Sequence, residues 1–167
     1  MRRLLLVALM IMPFSAQAQP AAQLAGLFIQ GCVPFAGNSG ALRDWARRQG
    51  LRAAPEPVRR AFLHSTPGQV FDGSAPEAKL ALISSDAGLC SVATDTAKES
   101  DVIAALEAGL RQAGLTFRLV IERDDKQVPQ IHEREYLAAK GGKGWRILAA
   151  AVNGDAGGEA MLTAGPE

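Results

Sequence analysis

Apolar positions recur along this chain with two periods, near 3.6 in some stretches and 2 in others, and the first change between them falls at Pro67-Gly68. In the N-terminal part the spacing predicts a helix over Pro20–Gln30, with Leu24, Leu27, Phe28 and Gly31 on one face. Gly31 followed by Pro34 reads as a helix stop, which would leave Cys32 just past the helix end. A second helix is expected over Gly40–Gln49, capped by Asn38 or Ser39 and closed by Gly50. Leu42, Trp45 and Ala46 form its stripe, which Gln49 can extend, while Arg43, Arg47 and Arg48 point elsewhere. A short third helix follows Pro55 or Pro57, with Val58, Ala61 and Phe62 inward and Arg59 and Arg60 outward.

Beyond Pro67 the alternation predicts strands. Gln69–Phe71 is short; Lys79–Ser84 and Leu89–Thr94 form a hairpin around Asp86-Ala87-Gly88, with glycine where positive φ is required. The helical period then returns once. Thr96 and Glu99 have the spacing of a capping box, and Val102, Ile103, Leu106, Leu110 and Ala113 line one face up to Gly114. Glu107 and Arg111 pair at i, i+4. Four more strands are expected: Thr116–Arg123 with Phe117, Leu119 and Ile121 on one face, Gln130–Ala138, Trp145–Val152 and Ala160–Thr163. Their turns are Asp124-Asp125-Lys126, Gly141–Gly144 and Gly154–Gly158. Most links between strands are of hairpin length, so crossover helices are excluded for those pairs. The expectation is a single α+β domain. It has a mainly antiparallel sheet of about six to seven strands, an N-terminal helical layer, and one amphipathic helix inserted between strands.

The first 18 residues change the picture of where this domain works. Arg2 and Arg3, the apolar run Leu4–Phe14 and Ala16-Gln17-Ala18 match the three regions of a signal peptide, cleaved after Ala18. The run is short for a membrane span, which needs about 20 apolar residues, and Pro13 interrupts it. An uncleaved N-terminal anchor is the competing reading. Cleavage leaves 149 of the 167 residues, with 16 basic and 17 acidic side chains. That balance argues against a nucleic-acid partner, and no later run is long and apolar enough to cross a bilayer as a helix. In an exported chain the two cysteines, Cys32 and Cys90, are most simply a disulfide. Closing that loop would contribute about 4 kcal/mol in the chain-entropy model. Two buried free thiols are the alternative.

Candidate chemistry is sparse. Cys90 and His132 are the one pairing that suggests a nucleophile and a base, yet Cys90 falls in an apolar strand rather than at a helix N-terminus, and Cys32 is available to consume it. His64 and His132 lie far apart in sequence, outside any metal-ligand spacing, so no metal or cofactor is expected. His64 falls at the end of a short helix; His132 shares a strand face with Arg134 and Tyr136, expected to be solvated. Ser39 and Ser74 adjoin glycines but lack the frame of a nucleophile elbow, and Gly141–Gly144 is a hairpin turn rather than a phosphate loop. Glu133 and Glu135 alternate onto one strand face, where a solvated edge explains them.

Charge is unevenly placed. Arg43, Arg47, Arg48, Arg52, Arg59 and Arg60 stand against only Asp44 and Glu56, and seven acids between Asp72 and Glu107 stand against Lys79 and Lys98. The arginines are either the solvated faces of two helices or a surface for an anionic envelope component or an acidic protein.

A scattered set of short motifs adds a resemblance. It comprises Cys32, Trp45, Gly68-Gln69-Val70-Phe71, Gly88-Leu89-Cys90-Ser91-Val92, Arg134-Glu135-Tyr136-Leu137-Ala138, Trp145-Arg146 and Ala160-Met161-Leu162. The set resembles a family of small exported proteins of Gram-negative proteobacteria with no assigned activity. The resemblance implies a periplasmic location and a single domain, and carries over no catalytic residue. The resulting expectation is a periplasmic or secreted, disulfide-stapled protein without an enzyme site. It would act by binding an envelope component or partner protein, inhibitor or immunity-like roles included. The competing expectation is a small periplasmic hydrolase whose site is assembled from scattered residues.

Overall fold

The computed structural model describes residues 18–152 and 158–167. Most of the expected signal segment and most of the Gly154–Gly158 loop lie outside them. Helix α1 (Ala18–Leu27) runs on through a π-helical turn (Phe28–Cys32) into α2 (Val33–Phe35). The stop expected at Gly31 is therefore absent, and Cys32 sits inside the helical segment rather than beyond it. The Val33 N–H donates to the Phe28 carbonyl, five residues back. This wide turn sits immediately ahead of Pro34, whose ring would crowd an ordinary α-helical turn and which has no N–H to give. Gly31 is required for another reason: a Cβ there would lie 2.8 Å from the Trp45 ring. The chain reverses only at Gly37, with φ 86°.

Helix α3 (Ser39–Arg48) starts as expected, with the Asn38 side chain accepting from the Ala41 N–H at 3.0 Å. Strand β1 (Arg52–Ala53) and helix α4 (Glu56–Leu63) follow. The remaining elements are β2 (Gly68–Asp72), β3 (Leu80–Ser85), β4 (Cys90–Ala97), α5 (Glu99–Gln112), β5 (Thr116–Asp124), β6 (Ile131–Lys140), β7 (Lys143–Val152) and β8 (Gly158–Pro166). They form one open sheet, in the order β1-β2-β3-β4-β8-β7-β6-β5, with every neighbouring pair antiparallel. The fold class is α+β as expected, with eight strands rather than six or seven. The additional one is β1, too short to leave a periodic signal. The chain closes β4 against β8 across the whole β5–β7 meander, so the last strand completes the middle of the sheet.

Register shows what each face holds. One row across the sheet reads Leu82, Val92, Leu162 and Ala149, and the next reads Ser84, Cys90, Ala164 and Ile147. These side chains meet α1, its π turn, α3 and α5 in the principal core, where Leu82, Val92, Leu162, Ile147, Leu24, Phe28, Leu42, Leu106 and Leu110 are essentially inaccessible. Full burial of each such aliphatic side chain contributes about 1.5–3 kcal/mol. Close approach of α5 to the first helical segment needs Gly109, where a Cβ would lie 3.1 Å from Ile29. The capping box expected at the start of α5 does not form. Thr96 stays in β4 with its hydroxyl 3.0 Å from that of Thr94, and Lys98 occupies the cap position without a side-chain bond.

The disulfide joins Cys32 to Cys90 with a Cα separation of 5.1 Å. It ties the π turn to an inner strand, with both residues buried. The turn preceding Cys90 is held against the same segment: the Gly37 N–H donates to the Gly88 carbonyl at 2.8 Å, and Gly88 has φ 86°.

Candidate binding groove

Among the described residues, no helical layer lies over the centre of the opposite face of the sheet. There the register runs Asp72, Ala81, Ala93, Met161, Ala150 and Glu133 in one continuous cross-strand row from β2 to β6. The neighbouring row runs Val70, Ile83, Ser91, Thr163, Leu148 and Glu135. Small apolar side chains thus pave the middle of a face that antiparallel sheets commonly present to water with polar groups. Helix α4 stands over one side of this paving. Leu63 packs with Val70 and Ile83 in a separate small cluster, and its close approach depends on Gly68, where a Cβ would lie 3.1 Å from a Leu63 methyl carbon.

Only Leu63 of α4 is buried. Val58, Ala61 and Phe62, expected to point inward, are exposed, Val58 and Phe62 by 40% and 41%. The helix covers too little of the sheet to bury its apolar stripe. Val58 and Phe62 instead form one wall of a groove of about 670 Å³, floored by Val70, Ala81, Ala93, Ala150 and Met161. Ile131 and Val152, paired across β6 and β7, form the far wall. Polar groups gather at the mouth: Asp72, Ser74, Lys79, Asp95 and Glu159.

The mouth is electrostatically lopsided. The Asp72 carboxyl is held below its usual range by hydrogen bonds from the Ser74 hydroxyl and then the Ser74 N–H, the latter at 3.0 Å, with a smaller contribution from Arg52. Asp95 and Glu159 project from adjacent strands beside the Thr94–Ala160 register pair. Neither makes an ion pair among the described residues, and neither does Lys79.

The arginine-rich stretch is not one open cationic surface. Arg43 reaches from α3 to the end of β3, donating to the buried Ser84 hydroxyl at 3.2 Å and its carbonyl at 3.1 Å, and forms an ion pair with Asp86. Arg47 pairs with Asp44 at 2.8 Å; Arg59 and Arg60 share Glu56 at 2.6 and 3.4 Å. Those two arginines, Arg59 foremost, hold the Glu56 carboxyl down at about 2. Arg48 and Arg52 are exposed and make no ion pair among the described residues. Arg47 and Arg59 come together on a smaller depression of about 370 Å³ with Leu51 and Gln69.

His132 lies on the helix-covered side of the sheet and is half-buried rather than solvated. Its Nδ1 is 3.1 Å from Asp124 and its Nε2 is 3.3 Å from Glu122, and Arg134 also pairs with Glu122, at 2.7 Å. The Asp124 hydrogen bond, outweighing partial burial, raises the His132 pKa. Two carboxylates on two ring nitrogens favour the doubly protonated imidazolium, which has no lone pair to act as a base. Tyr136 in the next register position donates to Glu107 at 3.2 Å, and burial pushes its hydroxyl up to about 12. Cys90 is consumed by the disulfide, His64 is exposed at the end of α4 with φ 50°, and Glu133 and Glu135 pair with Arg123 and Arg146. Among the described residues, no group of three or more His, Cys, Asp or Glu side chains is arranged to hold a metal ion.

The sequence did carry a signal for the groove. Leu80–Ile83 and Ala149–Val152 lack the polar alternation of a strand with one wet face. What periodicity does not convey is that the second apolar face stays uncovered. Comparison with known proteins finds no matching family model, no similar curated protein and no similar solved structure.

Proposed function

We propose that this chain is an exported, non-enzymatic binding protein that holds an apolar ligand on the uncovered face of its sheet. The groove of about 670 Å³ carries the reading: its volume and its mostly apolar lining, with a few polar groups at the mouth, are those of small-molecule sites. Export is supported by the signal-like N-terminus and by the Cys32–Cys90 disulfide, a bond that persists in oxidising compartments. A binding role for the arginine stretch draws less support, because Arg43, Arg47, Arg59 and Arg60 are already engaged by Asp86, Asp44 and Glu56. A hydrolase reading draws less support, because both nitrogens of His132 face carboxylates and Cys90 is held in the disulfide.

Native mass spectrometry of the protein released from the envelope by osmotic shock tests both parts. The expected species is a chain beginning at Gln19 with a small apolar molecule bound, and the adduct is lost on Ala93→Trp. A protein retained in the cytoplasm, or an adduct that survives Ala93→Trp, would overturn the reading.

A further inference from the structure

We infer that the groove selects a small amphiphile with a cationic end, its apolar body on the alanine-paved floor and its ammonium or guanidinium group beside Asp95 and Glu159. The inference rests on the groove being the ligand surface and adds the chemistry of the ligand. Three carboxylates and one ammonium line the groove, and Arg52 stands opposite Asp72 across β1 and β2, which leaves the mouth one negative charge in excess. Asp95 on β4 and Glu159 on β8 occupy neighbouring strands on the same face, next to the Thr94–Ala160 pair. Like charges on adjacent strands repel, and no cation forms an ion pair with either among the described residues. A bound cation would relieve that repulsion. An anionic headgroup would meet Lys79 and Arg52 but would have to approach Asp95 and Glu159, which make no ion pair among the described residues.

The occupant is a small molecule rather than a folded partner because α4 and the β6–β7 edge wall the floor on two sides. The enclosed volume falls within the range of small-ligand sites. The apolar end has the floor of Ala81, Ala93, Ala150 and Met161 and the ring of Phe62; the cation has the Asp95–Glu159 side of the mouth.

Titration calorimetry of the protein beginning at Gln19 tests this with three probes kept below micelle formation: dodecyltrimethylammonium, dodecyl maltoside and dodecanoate. The expected order of affinity at low salt is cation, neutral, anion, with steps of about fivefold that shrink as salt screens the mouth. Asp95→Asn with Glu159→Gln should bring the cationic probe to the affinity of the neutral one, and Ala93→Trp should abolish all three. Equal affinities that Ala93→Trp abolishes would leave the groove as the ligand surface and overturn the cationic preference, as would tightest binding of dodecanoate. Absence of binding, or binding that Ala93→Trp leaves unchanged, would overturn the groove reading and this inference together.

Discussion

The two faces of this sheet share eight strands and one alternation, yet they differ in what lies against them. On one, the rows through Leu82–Ala149 and Ser84–Ile147 disappear beneath α1, α3 and α5, and a disulfide fastens the helical layer to β4. On the other, the row from Ala81 to Ala150 is paved with apolar atoms but, among the described residues, roofed only at its edge, by a helix that buries a single leucine. Apolar surface that is buried stabilises the fold; apolar surface that remains uncovered in a shaped groove is free to bind. Residues on the helix-covered face hold the protein together, and those of the other face form the proposed ligand surface.

Substitutions on the two faces should therefore have different consequences. Replacing both Cys32 and Cys90 by alanine removes the cross-link and should cost about 4 kcal/mol, read as a lower denaturant midpoint. Leu162→Ala, under the helices, should cost about 3 kcal/mol in the same measurement. Arg43→Ala leaves the buried Ser84 hydroxyl without its charged partner and should cost about 1–2 kcal/mol, whereas Arg48→Ala should stay within about 0.5 kcal/mol. Phe62→Ala, on the groove wall, should change stability by less than about 1 kcal/mol while weakening apolar probes. A large loss of stability from Phe62→Ala, or a negligible one from Leu162→Ala, would break the division.

The smallest expected effect is pH dependence at the unroofed end of the covered face. His132 has a raised pKa in the folded protein, so its contribution is fully present below the ordinary histidine value of about 6.5 and is lost as pH rises through the folded value. Glu122, whose pKa Arg134 and His132 lower, contributes in the opposite sense and is lost as pH falls through its folded value. Thermal melts between about pH 6 and 8 should show a decline of less than about 1 kcal/mol that His132→Asn removes.

Much of the covered face was legible in the sequence because it is written in periodicity. The stripe of α5, the Gly88 turn, the Asn38 cap and the Cys32–Cys90 pairing follow from local spacing and from the redox logic that a signal-like N-terminus implies. What escaped depends on contacts distant in sequence. The helix continues through Gly31 and Pro34 because a π turn absorbs the proline and Trp45 presses on the glycine. Val58 and Phe62 carry the pattern of an inward stripe, but α4 rests on the β2–β3 end of the sheet with no layer beyond it. Likewise the arginine excess counted along the chain is reduced when Asp86, 43 residues from Arg43 in sequence, is brought beside it. Leu119 and Ile121, expected to share a face, are separated by an irregularity in the β5–β6 register, and Leu119 is exposed.

The most direct test of the uncovered face is fluorescence of an uncharged apolar dye, Nile red, titrated with the protein and with Ala93→Trp. A saturable rise in emission is expected with the native chain, lost in the variant while cooperative unfolding is kept. No rise, or an equal rise in the well-folded variant, would contradict the claim that the paved groove is the ligand surface.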